Sequence, residues 1–296
     1  MVTTAESLVL GVVGACRLAR FHAQRIGLRT DMSVGETAAN IGELSDPGRL
    51  DLVLLTDRSS TRRSGLESLL GSGVSVAVVS PLSNAECQLA RAISEAQLLV
   101  LSPGLADDDF QAALMLQDAG ECREPLSLLH TTWGYSGLER EQQDADILGE
   151  IPGPVLDRLD QLLHLTRAAP QSVLAVPLAG RGDSLGVSVT VRLSGGVVAR
   201  IDHHPSSTVT LSTGWVMTAA ESGYHDFQSF TATSSGEVYG SPVSEPAIEL
   251  DRVHDDLVRQ WHDESYHAAV LEHARRLGSL VEAIERSVAT GSESAC

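Results

Sequence analysis

The sequence predicts an α/β protein in which an N-terminal parallel-sheet domain is followed by a C-terminal α+β domain with a mainly antiparallel sheet. Two patterns carry this prediction. Over residues 1–130, short apolar runs alternate with stretches of helical periodicity, which is typical of βαβ units. Between Ser172 and Gly240, apolar residues recur at every second position, which is typical of antiparallel strands with one buried face. We therefore place the first domain at residues 1–130 and the second at residues 131–290.

The composition limits the classes of partner. The chain has 296 residues, enough for two domains with buried cores, and its 43% hydrophobic and 20% charged content is that of a globular protein. The net charge of −18 repels phosphate backbones and anionic lipids, so we expect neither nucleic-acid nor membrane partners. The four cysteines are scattered without metal-ligand spacing, so we expect no disulfide framework, no metal site and a cytoplasmic location.

The elements of the first domain follow from its apolar runs. Val9–Val13 is apolar throughout and predicts a strand covered on both faces, while Arg17–Ile26 predicts a helix that ends at Gly27. A short second strand is predicted at Leu28–Met32. Further strands are predicted at Leu52–Thr56, Val74–Val79 and Leu98–Leu101. The helices that follow these strands are predicted at Thr61–Leu70, Asn84–Glu95 and Asp107–Ala119.

The pattern changes after a strand predicted at Leu126–Thr132. Residues 137–153 are polar and predict a loop, and Leu156–Thr166 has the spacing of a helix. A hairpin turn is predicted at Ser194-Gly195-Gly196, between two strands whose apolar residues face the same way. The apolar residues of the first of these strands are Val187, Val189, Val191 and Leu193. Residues 250–288 predict a helical segment in two pieces.

Five segments of the chain match, in order, segments of a known protein family. They are Val12–His22, Asp51–Thr61, Gly73–Leu82, Asp108–Leu114 and Arg275–Ser287. Taken in order, they resemble the glucose–fructose oxidoreductase / inositol dehydrogenase / MocA family over nearly the whole chain, with this sequence as a divergent member. The resemblance implies a Rossmann-type first domain that binds NAD or NADP. It also implies a sugar- or polyol-like substrate and a closing helix that packs back toward the first domain.

The first of these segments carries the phosphate-binding turn. A Rossmann turn uses Gly-x-Gly-x-x-Gly because the first glycine makes the tight turn, the second lets the pyrophosphate approach, and the third lets the helix pack closely. Here the three positions are Gly14, Cys16 and Ala19. The Cys16 side chain occupies space that the pyrophosphate would use, so we expect dinucleotide binding to be weakened or lost. Cys16 is interpreted either as a small buried hydrophobe or as a thiolate with a lowered pKa.

The cofactor site that the resemblance implies draws on several turns. Asp31 lies close to where an acid would accept the ribose 2′-hydroxyl and favour NAD over NADP, although an ordinary turn aspartate fits the sequence equally well. The complete set of expected cofactor-binding residues is Gly14, Ala15, Cys16, Arg17, Leu18, Asp31, Thr56, Arg58 and Pro81.

The catalytic positions that the resemblance implies are occupied by other residues. Where the family has a Glu-Lys-Pro turn, this chain has Val79-Ser80-Pro81, so Ser80 replaces the lysine. Where the family has an Asp-x-Gly-x-His-x-x-Asp helix, residues 153–160 place Asp157 at the histidine position and keep only Asp160. Hydride transfer from a carbinol needs a base, usually with a cation that stabilises the alkoxide. Asp157 is one candidate base, and His164 on the same helix is another.

Two classes of function follow. The chain is either an oxidoreductase of the NAD(P)-binding type with an altered acid–base set, or a non-catalytic ligand-binding or regulatory module on the same scaffold. In both cases we expect a small-molecule ligand. We also expect a homo-oligomer, a dimer or higher, formed through the sheet of the C-terminal domain.

Overall fold

The computed structural model describes residues 7–15, 17–56, 62–92, 97–106, 110–111, 114, 125–133, 151, 153–178, 186–204, 209–218, 224–234, 237–240 and 246–296. The chain divides into two compact units. Described residues within 1–103 and 246–274 form the first unit, and those within 104–133, 151–240 and 275–296 form the second. Most of the predicted loop 137–153 and most of the predicted helix Asp107–Ala119 lie outside the described residues.

The first unit is built on a five-stranded parallel sheet. Its strands are β1 (Leu8–Val13), β2 (Met32–Ala38), β3 (Leu52–Leu55), β4 (Ser75–Val79) and β5 (Leu98–Leu101). Their order across the sheet is β2-β1-β3-β4-β5, and each neighbouring pair is parallel. Three helices follow strands β1, β3 and β4 along the chain, namely α1 (Arg17–Ile26), α2 (Arg62–Gly71) and α3 (Asn84–Ala92). Strands β3 and β4 are almost wholly buried, as strands between two covered faces must be.

Four of the five strand predictions are confirmed within one residue at each end. The second strand was predicted wrongly at Leu28–Met32, because β2 begins only at Met32. Leu28 is 73% exposed and belongs to the turn after α1. The prediction failed because Ser33, Gly35 and Glu36 are poor strand formers, which hid the alternation of an edge strand.

The second unit contains an eight-stranded sheet in the order β12-β11-β10-β6-β9-β8-β7-β13. Its strands are β6 (Pro125–Trp133), β7 (Pro170–Leu178), β8 (Gly186–Leu193), β9 (Val198–His204), β10 (Val209–Thr218), β11 (Tyr224–Ser234), β12 (Glu237–Gly240) and β13 (Ser294–Ala295). Only β6 and β9 pair in parallel, so the predicted mainly antiparallel sheet is confirmed. Strand β6, predicted at the end of the first domain, lies inside this second sheet.

One face of the second sheet forms the core of its unit. Helix α4 (Gly153–Thr166) buries Val155, Leu159 and Leu162 in one cluster with the predicted apolar face of β8. The β8–β9 hairpin turns at residues 194–196, where Gly195 and Gly196 adopt φ of 79° and 84°. The predicted hairpin is therefore confirmed, and its turn needs the conformation that glycine adopts without cost.

The C-terminal helical segment is broken into α5 (Pro246–His262) and α6 (Glu264–Thr290), as predicted. Asp263 lies at the break, and its Oδ1 accepts hydrogen bonds from the backbone N–H groups of Ser265 and Tyr266, both 3.0 Å long, as a helix N-cap does. Helix α5 and the first part of α6 belong to the first unit, whose core includes Ala274. No helix in the described part of the chain is long and apolar enough to cross a membrane.

Candidate functional site

The turn after β1 is tightly built around Gly14. Gly14 has φ of 155°, and a Cβ atom at this position would lie 2.1 Å from the Thr56 Oγ1 atom and 3.3 Å from the Ala19 Cβ atom. Any side chain would therefore collide with the end of β3, and it would crowd α1 as well. Glycine at 14 and a small residue at 19 satisfy the packing that the first and third positions of a dinucleotide turn require.

Thr56 holds this turn in place. Its backbone N–H and its Oγ1 both donate to the Val13 carbonyl, at 3.0 and 3.1 Å. On the other side, the Gly14 N–H donates to the Ala38 carbonyl at 3.0 Å. Thr56 is only 3% exposed, so in the structure this predicted cofactor residue fixes the turn through its hydrogen bonds to Val13.

The position of Gly14 in the sheet also indicates a ligand site. In the order β2-β1-β3-β4-β5 the direction of winding reverses between β1 and β3, and ligands of such sheets bind in the crevice outside the carboxyl ends at this point. Gly14 and Thr56 follow the two strands that flank the reversal. Helix α1 begins at Arg17 with no acidic residue in its first turn, and the start of a helix favours a bound anion.

Asp31 does not lie at this edge of the sheet. The register pairs Leu8 with Met32 and Val13 with Ala38, so Asp31 precedes the amino end of β2, about 20 Å from the carboxyl edge at ~3.3 Å per residue. Its carboxylate instead receives two hydrogen bonds from Arg29, of 2.8 and 2.7 Å, which lower the pKa of Asp31. Asp31, predicted to contact the ribose, therefore lies at the opposite end of β2 from the sheet edge that carries Gly14 and Thr56.

Two other residues stand at the carboxyl end of β2. Glu43 accepts a 2.9 Å hydrogen bond from the Ala39 N–H and a 2.6 Å hydrogen bond from the Asn40 amide. Both Asn40 and Glu43 are exposed. Sequence reasoning missed them because the second strand was placed too early; the alternation of Met32, Val34 and Ala38 was the signal that could have found them.

The turn after β4 contains Ser80 and Pro81, both buried. The peptide bond between them is cis. Ser80 donates its N–H to the Leu101 carbonyl at 2.7 Å, while its Oγ is enclosed and has no hydrogen-bond partner among the described atoms. A buried hydroxyl without a partner costs free energy, so its presence at a strand end calls for an explanation in function.

A buried ion pair lies directly against this turn. The Arg62 guanidinium donates two hydrogen bonds to the Glu86 carboxylate, of 2.8 and 2.9 Å, and the two side chains are 1% and 4% exposed. It also donates to the carbonyls of Val79 and Pro81, at 2.9 and 2.8 Å. Burial is the largest single influence and would raise the pKa of Glu86, but the hydrogen bonds and charge of Arg62, together with the hydrogen bonds from Ser83, lower the pKa overall.

Glu86 also closes the start of α3. The Ser83 N–H donates to Glu86 Oε2 at 2.8 Å, and the Glu86 N–H donates to Ser83 Oγ at 3.2 Å, which is a capping box. The Ser83-x-x-Glu86 spacing is the sequence signal of such a box. No local pattern marks Arg62 as its partner, since the two residues belong to different helices.

Several predicted cofactor residues can be placed only in part. Ala15 is exposed and Leu18 is half-buried in α1. Cys16 and Arg58 lie outside the described residues, as does the side chain of Arg17.

The other predicted catalytic residues belong to the second unit. Asp157 and Asp160 lie on α4, where Asp157 is half-buried and Asp160 is 2% exposed. The backbone of Asp157 packs against Gly104, because a Cβ atom on Gly104 would lie 2.9 Å from its carbonyl oxygen. His164 packs its ring edge-on to Phe110, with 5.8 Å between ring centroids.

A histidine pair in the first unit was not predicted from the sequence. His22 Nδ1 on α1 and His254 Nε2 on α5 lie 2.9 Å apart, and the residues are 1% and 0% exposed. Burial, and then the charge of His254, lowers the pKa of His22 to about 3. Burial, and then Arg29, lowers the pKa of His254 to about 4. No group of metal-ligating side chains occurs in the part of the chain that the structure describes.

Solved structures with a similar fold exist. A Sinorhizobium meliloti 1021 protein, provisionally described as a myo-inositol dehydrogenase, superposes with a TM-score of 0.77 at 16% identity, over 98% of this chain and 99% of that one. GenD2 from gentamicin A biosynthesis, in complex with NAD, gives 0.76 at 17% identity over 98% and 97%. Scyllo-inositol dehydrogenase from Lactobacillus casei with NAD(H) and scyllo-inositol gives 0.73 at 12% identity over 98% and 99%.

These neighbours are inositol and sugar dehydrogenases of the glucose–fructose oxidoreductase / inositol dehydrogenase / MocA type. At such identities the likeness shows a shared fold, which extends over nearly the full length of each chain. Neither a protein-family model nor a curated protein sequence matches this chain.

Proposed function

We propose that this chain binds NAD(H) at the carboxyl edge of its parallel sheet and is an oxidoreductase-type protein for a sugar- or polyol-like substrate. The observation that carries the proposal is the Gly14 turn at the point where the winding reverses. It combines a positive φ, close packing against Thr56 and a start of α1 that has no acidic residue in its first turn. The bound dinucleotide would supply hydride acceptance or donation, and the fold shared with NAD-bound dehydrogenases supports this choice.

The carboxyl end of β2 favours NAD over NADP. A ribose 2′-hydroxyl is bound by an acid or amide at this place in Rossmann-type sites, whereas a 2′-phosphate needs a basic residue. Glu43 is held beside Ala39 by two hydrogen bonds, and its charge would repel a 2′-phosphate. We therefore propose NAD(H) as the cofactor, with Asn40 and Glu43 in the role that was expected of Asp31.

Titration of the protein with NADH, followed by nucleotide fluorescence and by thermal unfolding, tests this proposal. Ligand at about 100 times Kd should add ~2.7 kcal/mol to the free energy of unfolding. Saturable binding that is lost in Gly14→Val supports the proposal. Binding that survives Gly14→Val in a folded protein, or no binding of either dinucleotide, overturns it.

A non-catalytic module is the second candidate, and the turn after β4 favours it. Ser80 cannot carry positive charge, and the nearest buried cation, Arg62, already has its guanidinium bonded to Glu86 and two carbonyls. Among the described residues, neither Ser80 nor Arg62 therefore offers an uncommitted positive charge to an alkoxide. Turnover separates the two candidates, since a module binds NADH without oxidising or reducing any substrate.

We further propose that the chain forms a homo-oligomer through the outer face of the second sheet. Leu174, Val176 and Val198 are 39%, 46% and 41% exposed there, on the face opposite the buried residues of β8. Sedimentation of the wild type and of Leu174→Glu/Val176→Glu tests this. A dimer or larger species that becomes monomeric in the variant supports the proposal, and a monomeric wild type contradicts it.

A further inference from the structure

We infer that Arg62 and Glu86 are positioning residues, which fix the Ser80–Pro81 turn against the carboxyl edge where the dinucleotide would bind. The identity of the ligand rests on the proposed function, whereas the geometry of the turn does not. Arg62 lies at the start of α2 and Glu86 in the first turn of α3, and their pairing brings both helix starts to the end of β4.

The two carbonyls that Arg62 binds flank Ser80 on both sides. Val79 is the last residue of β4, and Pro81 is the first residue after Ser80. Ser80 itself is tied to β5 through its N–H. The Ser83 N–H and hydroxyl donate to the Glu86 carboxylate at 2.8 and 3.0 Å. The hydrogen bonds that Arg62 and Glu86 form with other residues therefore hold the chain at Val79, Pro81 and Ser83.

A buried ion pair is not needed for stability alone. Removing two charges from water costs several kcal/mol, and apolar residues of similar volume often replace such a pair without loss. What apolar residues cannot supply is a planar fork of donors with fixed directions. Here the Arg62 guanidinium binds one carboxylate and two carbonyls, which fixes the path of the chain as it leaves the sheet after β4.

The position of the Ser80–Pro81 turn explains why it is held by the Arg62–Glu86 pair. Strands β3 and β4 are neighbours, so Ser80, which follows β4, lies at the same edge of the sheet as Thr56, which follows β3, and as Gly14. Its enclosed hydroxyl has no partner among the described atoms, which stability would not favour. The pair therefore holds a ligand-site turn, and we expect ligand affinity to depend on it more than folding does.

The test uses the full chain and three variants. Arg62→Lys keeps the charge opposite Glu86 but cannot reach both carbonyls, and Arg62→Met/Glu86→Met removes both charges at similar volume. Arg63→Ala/Glu67→Ala, an exposed pair on the same helix with 3.0 Å between Arg63 Nε and Glu67 Oε1, is the matched control. Hydrogen exchange at the amides of Ser80, Leu82 and Ser83 and the Kd for NADH are measured in each.

In both Arg62 variants we expect exchange at these amides to be about tenfold faster and NADH binding about tenfold weaker, a change of ~1.4 kcal/mol, with cooperative unfolding retained. The control should change neither quantity. Unchanged exchange, faster exchange spread equally over β1 and β3, or faster local exchange with unchanged affinity would each overturn the inference. If the wild type does not bind NADH, the proposed function fails, while exchange at the turn still decides whether the pair positions it.

Discussion

Gln260 forms paired hydrogen bonds with the backbone of Val100 at the edge of the parallel sheet. Its amide Nε2 donates to the Val100 carbonyl at 2.7 Å, and its Oε1 accepts from the Val100 N–H at 3.1 Å. The neighbouring outward-facing carbonyl, that of Leu98, lies 2.8 Å from Nε2 of His267. Side chains from α5 and α6 thus occupy the positions that a further strand would take beside β5.

We expect Gln260→Ala to destabilise the first unit strongly. Gln260 is 1% exposed, and its loss leaves one backbone donor and one acceptor of Val100 buried without partners. Each such group costs about 1–3 kcal/mol, so the free energy of unfolding should fall by roughly 2–5 kcal/mol in urea denaturation. Gln24→Ala, an exposed glutamine of α1, serves as control. A loss no larger than the control's would show that water satisfies Val100.

Gly14 and Thr56 should show strong energetic coupling. Gly14→Ala places a methyl group against Thr56 Oγ1 and should cost about 3 kcal/mol or more, through overlap and an unfavourable φ. Thr56→Ala alone should cost about 1 kcal/mol, the value of its bond to Val13. Because the double variant removes the collision, its cost should fall below the sum by at least about 1 kcal/mol. Additive costs in denaturant titrations would argue against the collision.

Acid should destabilise the protein through the buried histidine pair. The pKa values of His22 and His254 are lowered to about 3 and about 4, whereas in the unfolded chain each is near 6.5. Between pH 6.5 and these values, the unfolded state binds protons that the native state does not. Stability is therefore full above pH 6.5 and decreases as the pH falls, with a slope that approaches ~1.4 kcal/mol per pH unit for each histidine.

The measurement is the free energy of unfolding between pH 7 and pH 5, a range above the ordinary pKa values of carboxylates. His254→Gln should reduce the slope over this range. His262→Gln, at an exposed position of the same helix, should leave it unchanged. Equal slopes in the wild type and His254→Gln would mean that the pair does not govern the acid response.

The preference between dinucleotides should depend on Glu43. We expect the wild type to bind NADH at least about tenfold more tightly than NADPH, because the carboxylate beside Ala39 would meet the 2′-phosphate. Glu43→Arg should reduce or reverse that ratio, while Glu43→Gln should weaken discrimination without favouring NADPH. Fluorescence titration with both nucleotides gives the ratio, and a wild type that prefers NADPH would contradict the assignment.

Turnover on polyols and sugars should be slow. Loss of a general base typically costs about 10²–10⁴-fold, and Ser80 offers no positive charge where the resembling family has a lysine. We expect rates at least about 100-fold below a typical ~10 s⁻¹ when NADH formation is followed on a panel of substrates from pH 6 to 10. Asp157→Asn should reduce any remaining rate if Asp157 is the base. Rapid turnover in the wild type would refute the altered acid–base set.

The sequence was sufficient for the buried strands because their apolar runs are continuous. Val9–Val13 and Leu98–Leu101 need no distant information, and Gly14 at the first turn followed from the strand before it. The edge strand β2 was harder to predict, because alternate residues are exposed to solvent and Gly35 interrupts the pattern. Close packing requires glycine at this position, since a Cβ atom there would lie 2.7 Å from Val9 Cγ1. Because the second strand was predicted too early, the acid expected near the ribose was assigned to Asp31, which precedes β2.

The polar partners inside the first unit could not be predicted at all. His22 and His254 are 232 positions apart, and the two residues of the Arg62–Glu86 pair look like ordinary surface charges on two helices. Burial is what gives these residues their roles, and burial of a charged or polar side chain depends on its partner. A single sequence contains each residue but no sign of which pairs meet.

The capping of β5 by α5 also has a consequence for synthesis on the ribosome. The strands of the parallel sheet are complete once Leu101 has emerged, but the helix that covers its edge starts only at Pro246. At 5–20 residues per second, the intervening stretch takes about 7–30 s to translate. During that interval the nascent sheet exposes the backbone of Val100 and lacks the partner of His22. The first unit can therefore reach its native state only after α5 and the first part of α6 have been made.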